Sequence, residues 1–475
     1  MNRARAIPGT EARGKALIGA MWIQLVLAVS SILTLHYQSG TNVDGFRYAR
    51  LEDAHNLVFY GLWLSVLLIP GFIVSIETLC LVTMAVLPVS AYTQFGATGL
   101  ALDLPVQPLL LVLLARGIVA GRMRGGWHIP WLLLLCTLVM TSAAVSEEPA
   151  VSCRAAARFC LYLAAGVTAG CVASRDLRLL RGCMALLFSG GLLISVLVLV
   201  SAFRVSDVNS LAVSFAMPFF QDRGSGAGFL TFSVLAAFAL LQGVSARRLK
   251  WAIGLGALFI ATAILVSGTR SAYVGLAIVV LVAPLVGTRF ASYTVAATLA
   301  FLLLLGTVKV DSQLLDSLTG RMERSIHYYD EQREGSITER FDLWDAAWRI
   351  SIDKPLFGIG YDQFGRRSRE WASVPMGVNA HNEYLKLAAE TGWPCTLLWI
   401  GLIGSALLTA KSIAASRVQA VRALFGAAWL CVICYSVQGL FNNFQQISKI
   451  AFTYSFLIAL LLGLRAGLFR PRRSA

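Results

Sequence analysis

Apolar runs of span length follow one another along almost the whole chain, and no other feature constrains its fold as strongly. A helix that crosses a bilayer needs roughly 20 predominantly apolar residues. Such runs are read at residues 17–35, 57–76, 77–95, 104–120, 130–146, 155–173, 183–202, 227–243, 251–267, 272–288, 290–308, 393–410, 420–440 and 447–465. Only 14% of the residues are charged, where soluble domains carry about 25%. The runs are continuous rather than alternating, which excludes a transmembrane β-barrel. The expected fold is an all-α, polytopic transmembrane bundle of 12–14 spans with one large external loop containing short amphipathic helices.

The net charge of +15 is a topology signal, because lysine and arginine in short loops mark the cytoplasmic side. Arg3, Arg5, Arg13 and Lys15 place the N-terminal tail inside. Strict alternation then puts inside Arg116, Arg122 and Arg124; Arg175, Arg178 and Arg181; Arg247, Arg248 and Lys250; Arg289; Lys411, Arg417 and Arg422; and the C-terminal Arg465, Arg470, Arg472 and Arg473. The opposite short loops hold scattered residues, among them Arg223, Arg270 and Lys449. A positive charge distributed in this way does not point to a nucleic-acid partner. Most of the nine cysteines lie in apolar runs, where free cysteine behaves as a small hydrophobe. The first apolar run, from Leu17, continues into a full span and lacks a small-residue cleavage site, so no cleavable signal peptide is read.

The chain divides into N-terminal transmembrane helices (1–202), helices carrying external arginine loops (203–308), a large external loop (309–392) and C-terminal helices (393–475). A loop of that length is more often functional than a bare connector. An amphipathic helix is expected over Thr338 to Ile352, with Leu343, Trp344, Ala347 and Ile350 on one face. A second is read from His381, with Tyr384, Leu385 and Ala388 on its face and Gly392 and Pro394 as its stop.

No GxxxxGK[ST], HExxH or GxSxG occurs, and no external cluster shows metal-ligand spacing. No cofactor is therefore expected, and an external enzyme of this kind must use a substrate that arrives already activated. Arg270, in the tight hairpin Ser267-Gly268-Thr269-Arg270-Ser271, is either a snorkelling anchor or a phosphate ligand whose planar fork matches phosphate oxygens. Arg223 carries the same ambiguity, beside Gly224, Ser225 and Gly226. His381 is either a helix-start histidine bonded to a nearby carbonyl or a base at neutral pH. His36, His55 and His327 are also expected outside, in less ordered sequence. Glu383 and Glu390 either orient His381 or are ordinary helix charges. Together, two arginines to neutralise a diphosphate leaving group and a histidine to take a proton from a hydroxyl suit a lipid-linked diphosphate sugar.

From Phe219 to Gly439 the chain resembles the O-antigen ligase and O-antigen polymerase superfamily, bacterial integral-membrane glycosyltransferases. The resemblance rests on Ser267-Gly268-Thr269-Arg270-Ser271, on Arg340 with Leu343-Trp344, and on the turn Pro355-Leu356-Phe357-Gly358-Ile359-Gly360. Above all it rests on His381-Asn382-x-Tyr384-Leu385 followed by Glu390-x-Gly392. It implies metal-independent, inverting transfer of a glycan from an undecaprenyl diphosphate carrier to a sugar hydroxyl, on the periplasmic face of the bacterial inner membrane. His381 would be the base, Arg270 and Arg223 the diphosphate contacts, and Asn382, Tyr384, Glu390 and Arg340 supporting residues. The acceptor would be lipid A–core for a ligase, or a lipid-linked repeat unit for an O-antigen or exopolysaccharide polymerase. The loop around Arg223 lacks the Asn-Pro-Asn-like sequence of many members. A secondary transporter is the remote alternative, but the spans carry almost none of the central charges that transporters use.

Overall fold

The computed structural model describes residues 10–37, 49–50, 71–90, 93–95, 100–102, 106–123, 128–204, 220, 223–267, 269–287, 292, 335–373, 377–444 and 447–467. Most of the expected spans 57–76 and 290–308, most of the charged stretch Asp311 to Gly335, Gly268, His55 and His327 lie outside the described residues.

The described chain is a helical bundle with one small sheet. Helix α1 (Thr10–Tyr37) is followed by β1 (Ala49–Arg50), α2 (Ile76–Val89), β2 (Thr93–Phe95) and β3 (Leu100–Leu102). Next come α3 (Val106–Val119), α4 (Ile129–Ala144), α5 (Pro149–Ala173) and α6 (Leu177–Arg204). After these stand α7 (Arg223–Gly243), α8 (Arg247–Val266) and α9 (Arg270–Val282). The segment expected to be external supplies α10 (Gly335–Asp353) and the short α11 (Phe364–Arg367). Helices α12 (Glu383–Leu407), α13 (Ala410–Ala415), α14 (Gln419–Gln438) and α15 (Ser448–Arg465) complete the chain. Among the described residues, six helices are long and apolar enough to cross a membrane, and shorter apolar helices add to them. The chain is thus a multi-pass helical membrane protein.

Local sequence sets the helix starts. The Ser75 hydroxyl accepts the amide of Thr78 at 3.1 Å and caps α2. Pro130 and Pro149 sit in the first turns of α4 and α5, where a missing N–H costs nothing. Packing is then governed by small residues. Gly166 and Gly170 of α5 face α15 so closely that a Cβ on either would lie 2.5 Å from the carbonyl oxygen of Phe452 or Phe456. This small-xxx-small spacing lets two spans approach backbone to backbone, where dispersion replaces the hydrophobic effect as the attraction between helices in lipid. Helix α7 is enclosed by α6, α8 and α14.

Loops gather at the two ends of the bundle. At one end Arg122 pairs with Glu77 at 2.7 Å, Arg175 donates to the carbonyl of Arg122 at 2.7 Å, and Gln419 donates to the carbonyl of Gln242 at 3.0 Å. At the other end Lys449 donates to the carbonyl of Ser90, and Arg367 pairs with Glu147 at 2.6 Å. Asn442 donates to Ser271 at 2.6 Å at this same end. The small sheet joins further loops, with β1 parallel to β2 and β2 antiparallel to β3. The pairs Arg175–Arg122, Arg367–Glu147 and Asn442–Ser271 each join residues that the alternation of charge assigns to one side.

Helix α10 begins earlier than expected and runs to Asp353. Its Leu343, Ala346, Ala347 and Ile350 form a second apolar core with Ile359, Phe364, Ala380 and Ala389. The described residues between Leu343 and Ala389 are therefore packed around a core of their own.

Candidate functional site

Helix α12 is two helices joined at a break. Gly392 has φ +79°, a left-handed conformation that ends the first part at Thr391, and the span starts at Trp393. Asn382 caps the first part, its Oδ1 accepting the amides of Tyr384 and Leu385 at 3.1 Å each. The residue before the cap is His381, itself left-handed at φ +49°. Histidine tolerates this region better than most side chains, yet the conformation costs on the order of 1–3 kcal/mol and persists only where its surroundings enforce it.

Those surroundings differ from the amphipathic helix that the sequence suggests. Glu383, Lys386, Leu387, Ala388, Ala389, Glu390 and Thr391 are all buried, so the helix after His381 is enclosed by protein on nearly every side. The turn Pro355 to Gly360 wraps its C-terminal end. The amides of Ile359 and Gly360 donate to the carbonyls of Ala389 and Glu390 at 3.0 and 2.9 Å, and the amide of Trp393 donates to the carbonyl of Pro355 at 2.8 Å. A Cβ at Gly358 would lie 2.3 Å from the backbone of Glu390. The two motifs Pro355–Gly360 and Glu390-x-Gly392 are thus the two halves of one contact, and their glycines are required by its closeness.

Glu390 holds the next turn in place. Its Oε1 accepts the amide of Phe364 at 3.0 Å and lies 3.5 Å from the Lys386 ammonium. Burial lifts its carboxyl to about 7, against the opposing pull of Lys386. Glu390 thus ties the short helix after His381 to the turn at Phe364.

Glu383 and Tyr384 tie His381 to α14. The Glu383 amide donates to the carbonyl of Gly439 at 2.7 Å, and the Tyr435 hydroxyl donates to Glu383 Oε2 at 3.0 Å. The Tyr384 hydroxyl donates to the carbonyl of Ser436 at 2.9 Å. Three residues beyond Gly439, Asn442 reaches Ser271, the neighbour of Arg270. Gln438 donates to Thr231 of α7 at 3.1 Å, two turns along the helix that Arg223 begins. The last turn of α14 is therefore the place where the elements carrying His381, Arg270 and Arg223 come together.

Both arginines stand at the first position of their helices, α9 and α7. At the start of α9 the Arg270 cation opposes the helix dipole and adds to its positive end, and a helix N-terminus with a guanidinium beside it favours an anion. Arg270 is exposed. Arg340 lies half-buried in the first turns of α10. Among the described residues no group of His, Cys, Asp and Glu is arranged to hold a metal ion.

Sequence reading missed Tyr435, Ser436, Gly439 and Asn442. The one local signal was the cluster of amide side chains Gln438, Asn442 and Asn443 directly after an apolar span. Lys449 appeared only as a loop charge, yet it is fully buried and its ammonium stands 5.1 Å from the centre of the Phe220 ring.

No curated protein matches the chain. Residues 255–400 match the family model described as O-Antigen ligase. That stretch runs from α8 into the span of α12 and contains Arg270, Arg340, His381, Asn382, Tyr384 and Glu390, while Arg223 precedes it. Over that stretch the chain is similar to the O-antigen ligase family, the superfamily that the sequence motifs resemble.

Proposed function

We propose that this protein is an O-antigen ligase-like glycosyltransferase of the bacterial inner membrane, with both termini cytoplasmic and residues 309–392 periplasmic. It transfers a glycan from undecaprenyl diphosphate to a sugar hydroxyl of lipid A–core. The observation that carries this reading is the meeting of three elements at the end of α14: the strained His381 segment and two helices that each begin with an arginine.

The chemistry balances with these groups alone. An imidazole nitrogen of His381 takes the proton of the acceptor hydroxyl as its oxygen attacks the anomeric carbon. The bond from that carbon to the diphosphate oxygen breaks on the opposite face, which inverts the centre. Undecaprenyl diphosphate leaves with the electron pair, and the guanidinium groups of Arg270 and Arg223 stabilise the charge that develops on it. Asn382 and Tyr384 fix the position of His381, while Glu390 and Arg340 hold the external unit beneath it. This division of labour is consistent with the hydrogen bonds of Asn382, Tyr384 and Glu390.

The test is complementation of a deletion strain. His381→Ala is expected to insert normally and to leave the lipid A–core without polymer, with long carrier-linked chains accumulating. Normal surface glycan with this variant removes the catalytic role of His381. Single repeat units on the core of the deletion strain identify a polymerase instead of a ligase.

A further inference from the structure

Helix α10 has an apolar face that its own core does not use. Leu343, Ala346, Ala347 and Ile350 point into the external unit. On the opposite side of the helix stand Phe341, Trp348 and Ile352, which are 59%, 48% and 58% exposed. Asp342, Asp345, Arg349 and Asp353 are exposed along one flank between these faces, with an ion pair of 2.7 Å between Asp345 and Arg349. The helix thus has a buried face, a bare apolar face and a charged edge.

The bare face does not stop at the helix end. Trp348 packs edge-on against Trp393, with ring centres 5.8 Å apart. Trp393 begins the membrane span of α12, whose outward residues Leu397 and Ile400 are 60% and 43% exposed. Leu356, also exposed, lies in the turn between the two. One apolar surface therefore runs down the span and, through the Trp348–Trp393 contact, turns onto α10. A span's outward face is covered by acyl chains, and tryptophan is enriched where those chains meet the headgroups.

We infer that α10 lies in the outer boundary of the bilayer, with Phe341, Trp348 and Ile352 inserted among lipid and the Asp345–Arg349 edge turned to water. An interfacial helix with an apolar face and a strongly polar edge binds in this way by burying apolar area just below the headgroups. Contiguous exposed apolar surface of this kind is otherwise a liability in water. The consequence reaches the site without depending on its chemistry: the inner face of the same helix supports Ala380, the neighbour of His381. The lipid surface would thereby set the depth at which His381 is held.

The full chain, reconstituted in vesicles of phosphatidylethanolamine and phosphatidylglycerol, tests this by photo-crosslinking. The probe is p-benzoylphenylalanine placed singly at Phe341, Trp348 or Ile352, with Asp345 and Arg349 as edge positions and Leu397 as a lipid-facing control. Lipid adducts by intact mass are expected at the first three positions and at Leu397, at least five-fold above those at Asp345 and Arg349. Adducts at Leu397 alone overturn the inference, because they place the α10 face in water. Crosslinked dimers in place of lipid adducts also overturn it and assign the face to a second copy of this chain. Catalytic activity plays no part in the readout, so a failure of the glycosyltransferase reading leaves this result unchanged.

Discussion

The Tyr435 hydroxyl donates to Glu383 Oε2 at 3.0 Å, and this bond joins a membrane span to the residue two places after His381. Beside it the Glu383 amide reaches the carbonyl of Gly439. Together they fix the entry to the short helix that follows His381. A left-handed histidine does not hold its conformation alone, and these bonds anchor the residues that follow it.

Tyr435→Phe removes the donor and leaves a buried carboxylate oxygen without it, which costs about 1–3 kcal/mol. Thermal unfolding in detergent is expected to shift down by a corresponding amount. Because the two groups serve one bond, Tyr435→Phe combined with Glu383→Gln should destabilise less than the two single changes added together. Strict additivity would show that the bond contributes nothing.

Gly392→Ala places a side chain at φ +79° with its Cβ 2.4 Å from the carbonyl oxygen of Leu356. The backbone strain alone is on the order of 1–3 kcal/mol, and the clash adds to it. The variant is expected to insert, to lose protease resistance around residues 355–373, and to lose most transfer activity. A protease pattern like that of the native protein would mean that the break is not what holds Pro355 to Gly360 in place.

Glu390 gives the fold a pH dependence of known sign. Its carboxyl sits at about 7 in the folded protein because it is buried, above the ordinary glutamate value near 4.3. The folded state therefore binds more protons than the unfolded one between those values. This group's contribution is full below the lower value and is lost as pH rises through 7. In Glu390→Gln that fall is expected to disappear, so the melting temperatures of the two proteins should diverge between pH 5 and pH 8. Parallel curves would contradict the burial of the charge.

Arg270→Lys keeps the charge at the start of α9 but loses the bidentate fork. A loss of turnover on the order of 10²-fold is expected, the scale of one lost contact to a developing anion, with the melting temperature little changed. Wild-type turnover on a purified lipid diphosphate donor would assign Arg270 to anchoring at the membrane surface.

Much of the architecture was legible before any tertiary structure. The apolar runs specify helices that cross a membrane, because a bilayer offers the backbone no other hydrogen-bond partners. The order of Arg270, the Pro355–Gly360 turn and the His381 segment carried the resemblance to the O-antigen ligase superfamily, and the family model matches the same stretch. The break at Gly392 was also readable, from a glycine followed by Pro394. The enclosure of the helix after His381 was not. Its sequence alternates charge and apolar residues as a surface helix does, and it is partners such as Phe364, Lys386, Tyr435 and Gly439 that offset the burial of Glu383 and Glu390.

The sequence alone determined a helical membrane protein with a polar unit between its spans, since hydropathy and helix breakers act over a few residues. Only the tertiary structure decided which ends of those helices meet. The contacts Tyr435–Glu383, Asn442–Ser271 and Gln438–Thr231 join residues 52, 171 and 207 positions apart. Hydrogen bonds over such separations depend on how whole helices pack, and nothing in the local pattern of either partner announces the other.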